Sequence, residues 1–135
     1  MIKFLIFGAL GGICKAVMDS LQFHYDKNIF QLMPCQNWWN PKESWKNKYK
    51  NHDYKQGERF LFAKTLLVFI ADAWHFFEYM HYPFTALNVL CYYKWHRSIL
   101  FSIFVPLIYE GLIFLLFFHV IFQLKYYKKE CCQRG

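Results

Sequence analysis

The sequence predicts an all-α membrane protein of three transmembrane helices, with a short interfacial amphipathic helix in the cytoplasmic loop between the first two. Three observations carry that prediction. Hydrophobic residues make up 56% of the 135 and aromatic residues 23%, and they fall in three long blocks. With 6 Gly and 4 Pro the chain fits no fibrous or low-complexity class, and it holds too much apolar surface to stay disordered. The net charge of +7 lies beside the apolar blocks. Anionic headgroups are therefore the expected partner, because each juxtamembrane Lys or Arg is worth about 1 kcal/mol near an acidic leaflet. No nucleic-acid partner is expected.

The length suits a single integral membrane domain over residues 1–135. The first span covers about residues 2–23, interrupted by Lys15 and Asp19. Lys3 and the apolar run Phe4 to Leu10 resemble a signal peptide. However, Ile13 stands where a lipoprotein signal places a small residue before its cysteine, and the helical pattern continues through Ala16 and Met18, so a retained span is expected. A basic, aromatic loop follows over about residues 24–60. Within it Asn40-Pro41-Lys42-Glu43 offers an N-cap, a first-turn proline and an acidic residue, opening a helix to Lys50. Trp45 and Tyr49 lie four apart on it, beside a Lys42, Lys46, Lys50 row. Rings and lysines in that arrangement suit the headgroup layer; the alternative is a loop whose aromatics pack on the bundle end. The second apolar block, about residues 62–93, is too long for one untilted span of roughly 20 residues, and Pro83 allows a break near residue 83. The third span covers about residues 99–124 and a tail occupies residues 125–135.

Orientation follows from the positive residues. Lys27, Lys42, Lys46, Lys48, Lys50, Lys55, Arg59 and Lys64 share one side with Lys125, Lys128, Lys129 and Arg134, twelve against Lys3, Lys94 and Arg97 opposite. The expectation is an N-terminus outside, with the loop and C-terminus in the cytoplasm. Cys131 and Cys132 would then sit in a reducing compartment and form no structural disulfide. Gly8, Gly11 and Gly12 offer a small-residue face for helix packing.

Ionisable groups inside spans cost at least about 2.5 kcal/mol each and call for partners. At 100° per residue, Lys15, Asp19, Gln22 and Asp26 fall within about 60° of one another on the first helix. Asp72, His75 and Tyr79 share a stripe on the second, with Glu78 at its margin and His81 opposite. Glu110 and His119 lie about 180° apart on the third, so Glu110 is expected to meet Lys15 or another copy of the chain. His119 shares its face with Gln123. Asp19, Gln22, His24, His119 and Gln123 fall toward the cytoplasmic leaflet, joined by Asp72 and His75 if the second helix extends into the cytoplasm before its span. A carboxylate and imidazole spaced Asp72-x-x-His75 can hold one metal ion from one helix face, as in helical-bundle metal sites. A divalent metal such as zinc is the implied cofactor, with Asp19, His24 or His119 completing its ligands. If the protein is an enzyme, Asp72 and His75 would be the catalytic pair. Trp45, Lys46, Lys48, Tyr49 and Lys50 are the headgroup-binding candidates.

Three segments, Gly12 to Tyr25, Trp39 to Lys50 and Ala71 to His75, together resemble a group of uncharacterised small membrane proteins from Bacteroidota bacteria and associated mobile elements. The resemblance covers about residues 8–80. It implies a bacterial inner membrane and transfers no activity. The functional expectation is a polar Asp/His pocket at the cytoplasmic leaflet that binds a metal ion or a lipid phosphate headgroup and acts on lipid. Two alternatives stay open: an accessory protein whose polar residues lock the bundle, and a small homo-oligomeric ion channel.

Overall fold

The chain begins with a helix of 23 residues, α1 (Ile2–His24), which contains no proline and carries its three glycines in the N-terminal half. The computed structural model describes residues 1–133, with side chains through Ile121. Gln123, Lys125, Lys128, Lys129, Cys131, Cys132 and Arg134 therefore lie outside the described side chains. The two charges within α1 answer each other, Lys15 Nζ lying 2.8 Å from Asp19 Oδ1 one turn away.

Past His24 the chain turns on a fully buried asparagine. Asn28 Nδ2 donates to the Ser20 carbonyl at 2.6 Å, and its Oδ1 accepts from Phe30 N at 3.0 Å. One amide thus satisfies backbone groups at the end of α1 and at the start of the next turn, where both would otherwise be orphaned. Two single-turn helices follow, α2 (Gln36–Trp39) and α3 (Pro41–Ser44). Asn40 caps α3 by accepting from Lys42 N at 3.0 Å, with Pro41 in the first turn. The helix does not run to Lys50. It tightens into a 3₁₀ turn over Trp45–Lys48 and stops at extended Tyr49 (φ −109°, ψ 149°). The row of Lys42, Lys46 and Lys50 on one helix face is therefore lost.

The second apolar block is also divided. Residues 61–67 form turns, with Phe62 left-handed at φ 59°, and Val68–Ile70 form a 3₁₀ turn. A helix, α4 (Ala73–His96), starts only after Asp72, and there is no break at Pro83. The start is local chemistry: Asp72 Oδ1 accepts from His75 N at 2.9 Å, ending the helix backward while supplying its first acceptor. At the other end Arg97 adopts φ 55° and donates its N–H to the Tyr93 carbonyl, a left-handed stop. After this two-residue turn α5 (Ile99–Gln133) carries Pro106 inside it, fully buried.

Ring and side-chain pairs fix the arrangement. Phe4 meets Tyr92, Phe7 meets Phe84, and Trp74 reaches Gln22, so α1 and α4 are antiparallel. Tyr109 OH donates to the Leu5 carbonyl and His24 meets Phe118, so α1 and α5 are parallel. Among the described residues the fold is all-helical, with one isolated bridge between Tyr49 and Glu58. Two helical segments are long and apolar enough to cross a membrane, Ile2–Lys27 and Ile99–Ile121. They differ in surroundings: 56% of the first window is buried and 17% of the second.

The predicted glycine face is where α1 approaches α5. A Cβ on Gly12 would lie 2.7 Å from the Glu110 carbonyl oxygen and 2.8 Å from Ile113 Cβ, and one on Gly8 would lie 2.5 Å from Tyr109 Cδ1. Because the obstacle at Gly12 is backbone, the helices themselves would have to separate. Gly12→Ala is expected to destabilise the folded protein by roughly 1–3 kcal/mol through overpacking. Gly111→Ala, where nothing lies within 4 Å, should be neutral or slightly stabilising. Thermal unfolding in detergent compares the two.

Candidate functional site

Asp72 is 3% exposed and holds two partners with one carboxylate. Besides capping α4, its Oδ1 and Oδ2 lie 2.8 and 2.7 Å from His75 Nδ1. A carboxylate on Nδ1 fixes that nitrogen as the donor and leaves Nε2 as the ring's outward atom. His75 makes no hydrogen bond through Nε2 to another described residue.

These two residues open onto a cleft of about 290 Å³ whose wall also includes Gln22, Pro41, Ser44, Trp45 and Trp74. Three parts of the chain meet there: the C-terminal end of α1, the end of α3 and the start of α4. Asn47 holds them together, its Nδ2 donating to the Asn37 carbonyl at 2.6 Å and the Ala71 carbonyl at 2.8 Å, beside Asp72. Trp38 adds an indole N–H to the Ile70 carbonyl at 3.3 Å. Trp39 stacks on Phe30 with centroids 4.9 Å apart, and both tryptophans contact α4 through Phe76 and Phe77. Trp38 and Trp39 thus pack on the bundle end, whereas Trp45 stays 41% exposed at the cleft.

Within the cleft, Trp74 Nε1 donates to Gln22 Oε1 at 3.1 Å. An indole can only donate, so the bond orients the amide and leaves its NH₂ without a partner among the described residues. Ser44 is buried at 5% exposure, and its hydroxyl makes no hydrogen bond to another described residue. Helix periodicity puts Gln22 on the polar face of α1 without naming its partner, and it does not single out Ser44 at all. Ser44 carries no sequence signal, since only the fold of the loop brings it to the cleft that His75 lines.

The predicted ligand set does not gather. Asp19 pairs with Lys15, the His24 ring lies edge-on to Phe118 at 5.5 Å, and His119 is exposed on α5. Among the described residues no three His, Cys, Asp or Glu side chains converge on a point that could hold a metal ion. Of the loop candidates, Lys46 bonds Glu43 at 2.8 Å and lies 5.9 Å from the Trp45 ring centroid. Lys48 lies 5.9 Å from the Tyr49 ring and Lys50 is exposed. A larger cleft, about 630 Å³, is lined by Asn37, Trp38, His52 and Arg59 among others, but it includes no carboxylate and no part of the Asp72–His75 pair.

Glu110 occupies a second polar centre. It does not meet Lys15; its Oε2 accepts from Thr85 Oγ1 at 2.9 Å and its Oε1 from Asn88 Nδ2 at 3.1 Å. His81, placed by periodicity on the face opposite Asp72, turns its Nδ1 to the Gly11 carbonyl at 3.1 Å. Tyr79 OH donates to the Thr65 carbonyl, away from the cleft. No protein-family model, curated protein or solved structure matches this chain.

Asp72 separates a cap from a charge. Asp72→Ala is expected to cost about 1 kcal/mol for the lost cap and more for the buried groups left behind. Asp72→Asn keeps an acceptor for His75 N–H and should retain most of that stability. Denaturant unfolding followed by far-UV circular dichroism distinguishes them.

Proposed function

We propose that this is a three-span inner-membrane protein whose Asp72–His75 cleft receives the polar head region of an anionic lipid at the cytoplasmic leaflet. The carrying observation is the make-up of the cleft. A histidine fixed by a carboxylate, an oriented amide and an unpartnered hydroxyl line it together with two tryptophans. Neutral donors can meet phosphate or ester oxygens, and half-exposed indole rings suit the layer between headgroup and acyl chain. Lys46, outside the cleft lining, paired with Glu43 at 2.8 Å and 5.9 Å from the Trp45 ring centroid, would supply a cation for the phosphate, with Lys48 and Lys50 also on the loop.

The bilayer reading rests on α5. Ile99, Leu100, Phe101, Ile103, Phe104, Leu107, Ile108, Leu112, Leu115 and Leu116 are all exposed, an apolar surface far larger than a water-soluble monomer carries. The 24 residues of α4 reach about 36 Å, enough for a third span. Its outward side presents Tyr82, Leu87, Leu90, Tyr93 and Trp95. The twelve-to-three charge bias supports a cytoplasmic loop. A second reading, in which the polar residues only lock the helices, is favoured by Glu110, whose carboxylate joins α5 to α4.

Two measurements test the proposal. With the other cysteines replaced, a membrane-impermeant maleimide should label exposed Cys35 in inverted vesicles and not in intact spheroplasts; the reverse pattern would overturn the orientation. In detergent, titration with a phosphatidylglycerol should change tryptophan fluorescence, and Lys46→Ala should weaken binding about fivefold, the value of one phosphate contact of about 1 kcal/mol. Equal binding of an uncharged diacylglycerol, with no effect of Lys46→Ala or His75→Ala, would leave the locking role.

A further inference from the structure

We infer that the cleft is a serine-nucleophile site for acyl esters, with Ser44 as nucleophile, His75 as general base, Asp72 as its positioning residue and Gln22 as oxyanion donor; this deepens the lipid-binding reading and rests on it. Each role follows from a separate observation. Asp72 holds His75 by Nδ1 at 2.8 and 2.7 Å, which makes Nε2 the basic nitrogen. Ser44 is buried in the same cleft wall, and its hydroxyl is spent on no other described residue. The Ser44 hydroxyl is not sealed from solvent, so it is open to a ligand in the cleft that His75 also lines. Gln22 presents an NH₂ whose direction is fixed by the Trp74 indole at 3.1 Å. A fixed neutral donor stabilises developing negative charge without reorganising.

The lining also selects the reaction. The cleft holds no Lys or Arg, only neutral donors and the Asp72–His75 pair. Phosphoryl transfer spreads charge over three oxygens and calls for cations there. Addition to a carboxylic ester places a single charge on one oxygen, which one amide can meet. Ser44 Oγ attacks the ester carbonyl as His75 Nε2 takes its proton. The tetrahedral oxyanion collapses, the ester C–O bond breaks, and Nε2 returns the proton to the leaving alcohol. Water then attacks acyl-Ser44 with His75 as base, releasing the carboxylic acid and restoring the Ser44 hydroxyl. No oxidant or further co-reactant is required. In a glycerolipid the acyl ester lies just below the phosphate. With the phosphate outside the cleft at Lys46, 5.9 Å from the ring of Trp45 in its wall, the ester would be the part of the lipid offered to the cleft.

The test uses an alkyl fluorophosphonate carrying a fluorophore on the full-length protein in detergent, with the modified residue mapped by mass spectrometry. Labelling at Ser44 is expected, abolished by Ser44→Ala. It should slow at least about a hundredfold in Asp72→Asn, which keeps the helix cap but not the charge on His75. A purely structural Asp72 would leave that rate unchanged. Ser44→Ala removes no hydrogen bond to a described residue, so it should keep the far-UV circular dichroism and thermal midpoint of the wild type. Wild-type protein that binds the lipid but is not labelled, or is labelled elsewhere, overturns the nucleophile while the lipid site stands. Labelling at Ser44 without phosphatidylglycerol binding overturns the anionic-lipid reading instead. Absence of both removes the two together.

Discussion

The structure depends first on how closely α1 can approach α5. At Gly12 the two backbones are so near that even a methyl group has no room. This contact brings Gly11 against the Glu110 carboxylate, and α4 completes the enclosure with Thr85 and Asn88. A carboxylate at 6% exposure persists only because each oxygen has a donor. The three long helices are thus joined at mid-height by one polar centre and a row of glycines. Packing below that point follows from it: Ala16, Val17 and Leu21 continue along α1 into the cluster with Ala73, Phe30 and Ile121.

At the loop end a different device takes over. The bundle there is closed by aromatic rings, with Trp38 and Trp39 seated between Phe30 and α4. Asn28 and Asn47 settle the backbone groups that such irregular turns leave open, one amide at each of two junctions. Consequently Ser44 and Trp45, far in sequence from α4, share one cleft with its first turn. Backbone strain is scattered through the same region, at Cys35, Asn51, His52 and Phe62, all with φ near 50–60°. A loop held by side-chain amides and stacked rings, and not by a regular ladder, can accept these conformations.

Much of this was legible in the residues. The all-helical class, the first and third apolar blocks, the Asn40 cap, the Lys15–Asp19 pair and the glycine face all depend on short-range pattern, and each is present. The Asp72–His75 contact was legible too, because three-residue spacing brings such side chains together whether the acid caps the helix or lies within it. The start of α4 was harder: the apolar block from Phe60 to Tyr93 has polar insertions on both sides of the boundary, and only the capping preference of Asp72 marks it. The partners of Glu110 were missed because helical angles give direction within one helix and nothing about the rotation of its neighbours. The same limit explains Gln22 and Ser44. Gln22 was placed on a polar face with no partner, and Ser44 had no pattern, since their meeting depends on loop packing that no periodicity encodes.

The double duty of Asp72 links fold to chemistry. A capping carboxylate is fixed by the helix it starts, so an imidazole three residues later is held by the same backbone hydrogen bond that begins α4. Orientation of His75 therefore needs no separate support, and it cannot drift without fraying the helix. The cost lies in water exclusion: His75 remains partly exposed, and the cleft is open on its Trp45 side. For a soluble substrate that opening would weaken every polar contact inside it. For an amphiphile it is the natural arrangement, because the acyl chains of the incoming molecule exclude the water themselves. An open cleft at the end of the helices, walled by Trp45 and Trp74, thus fits the proposed amphiphile better than a small polar ligand.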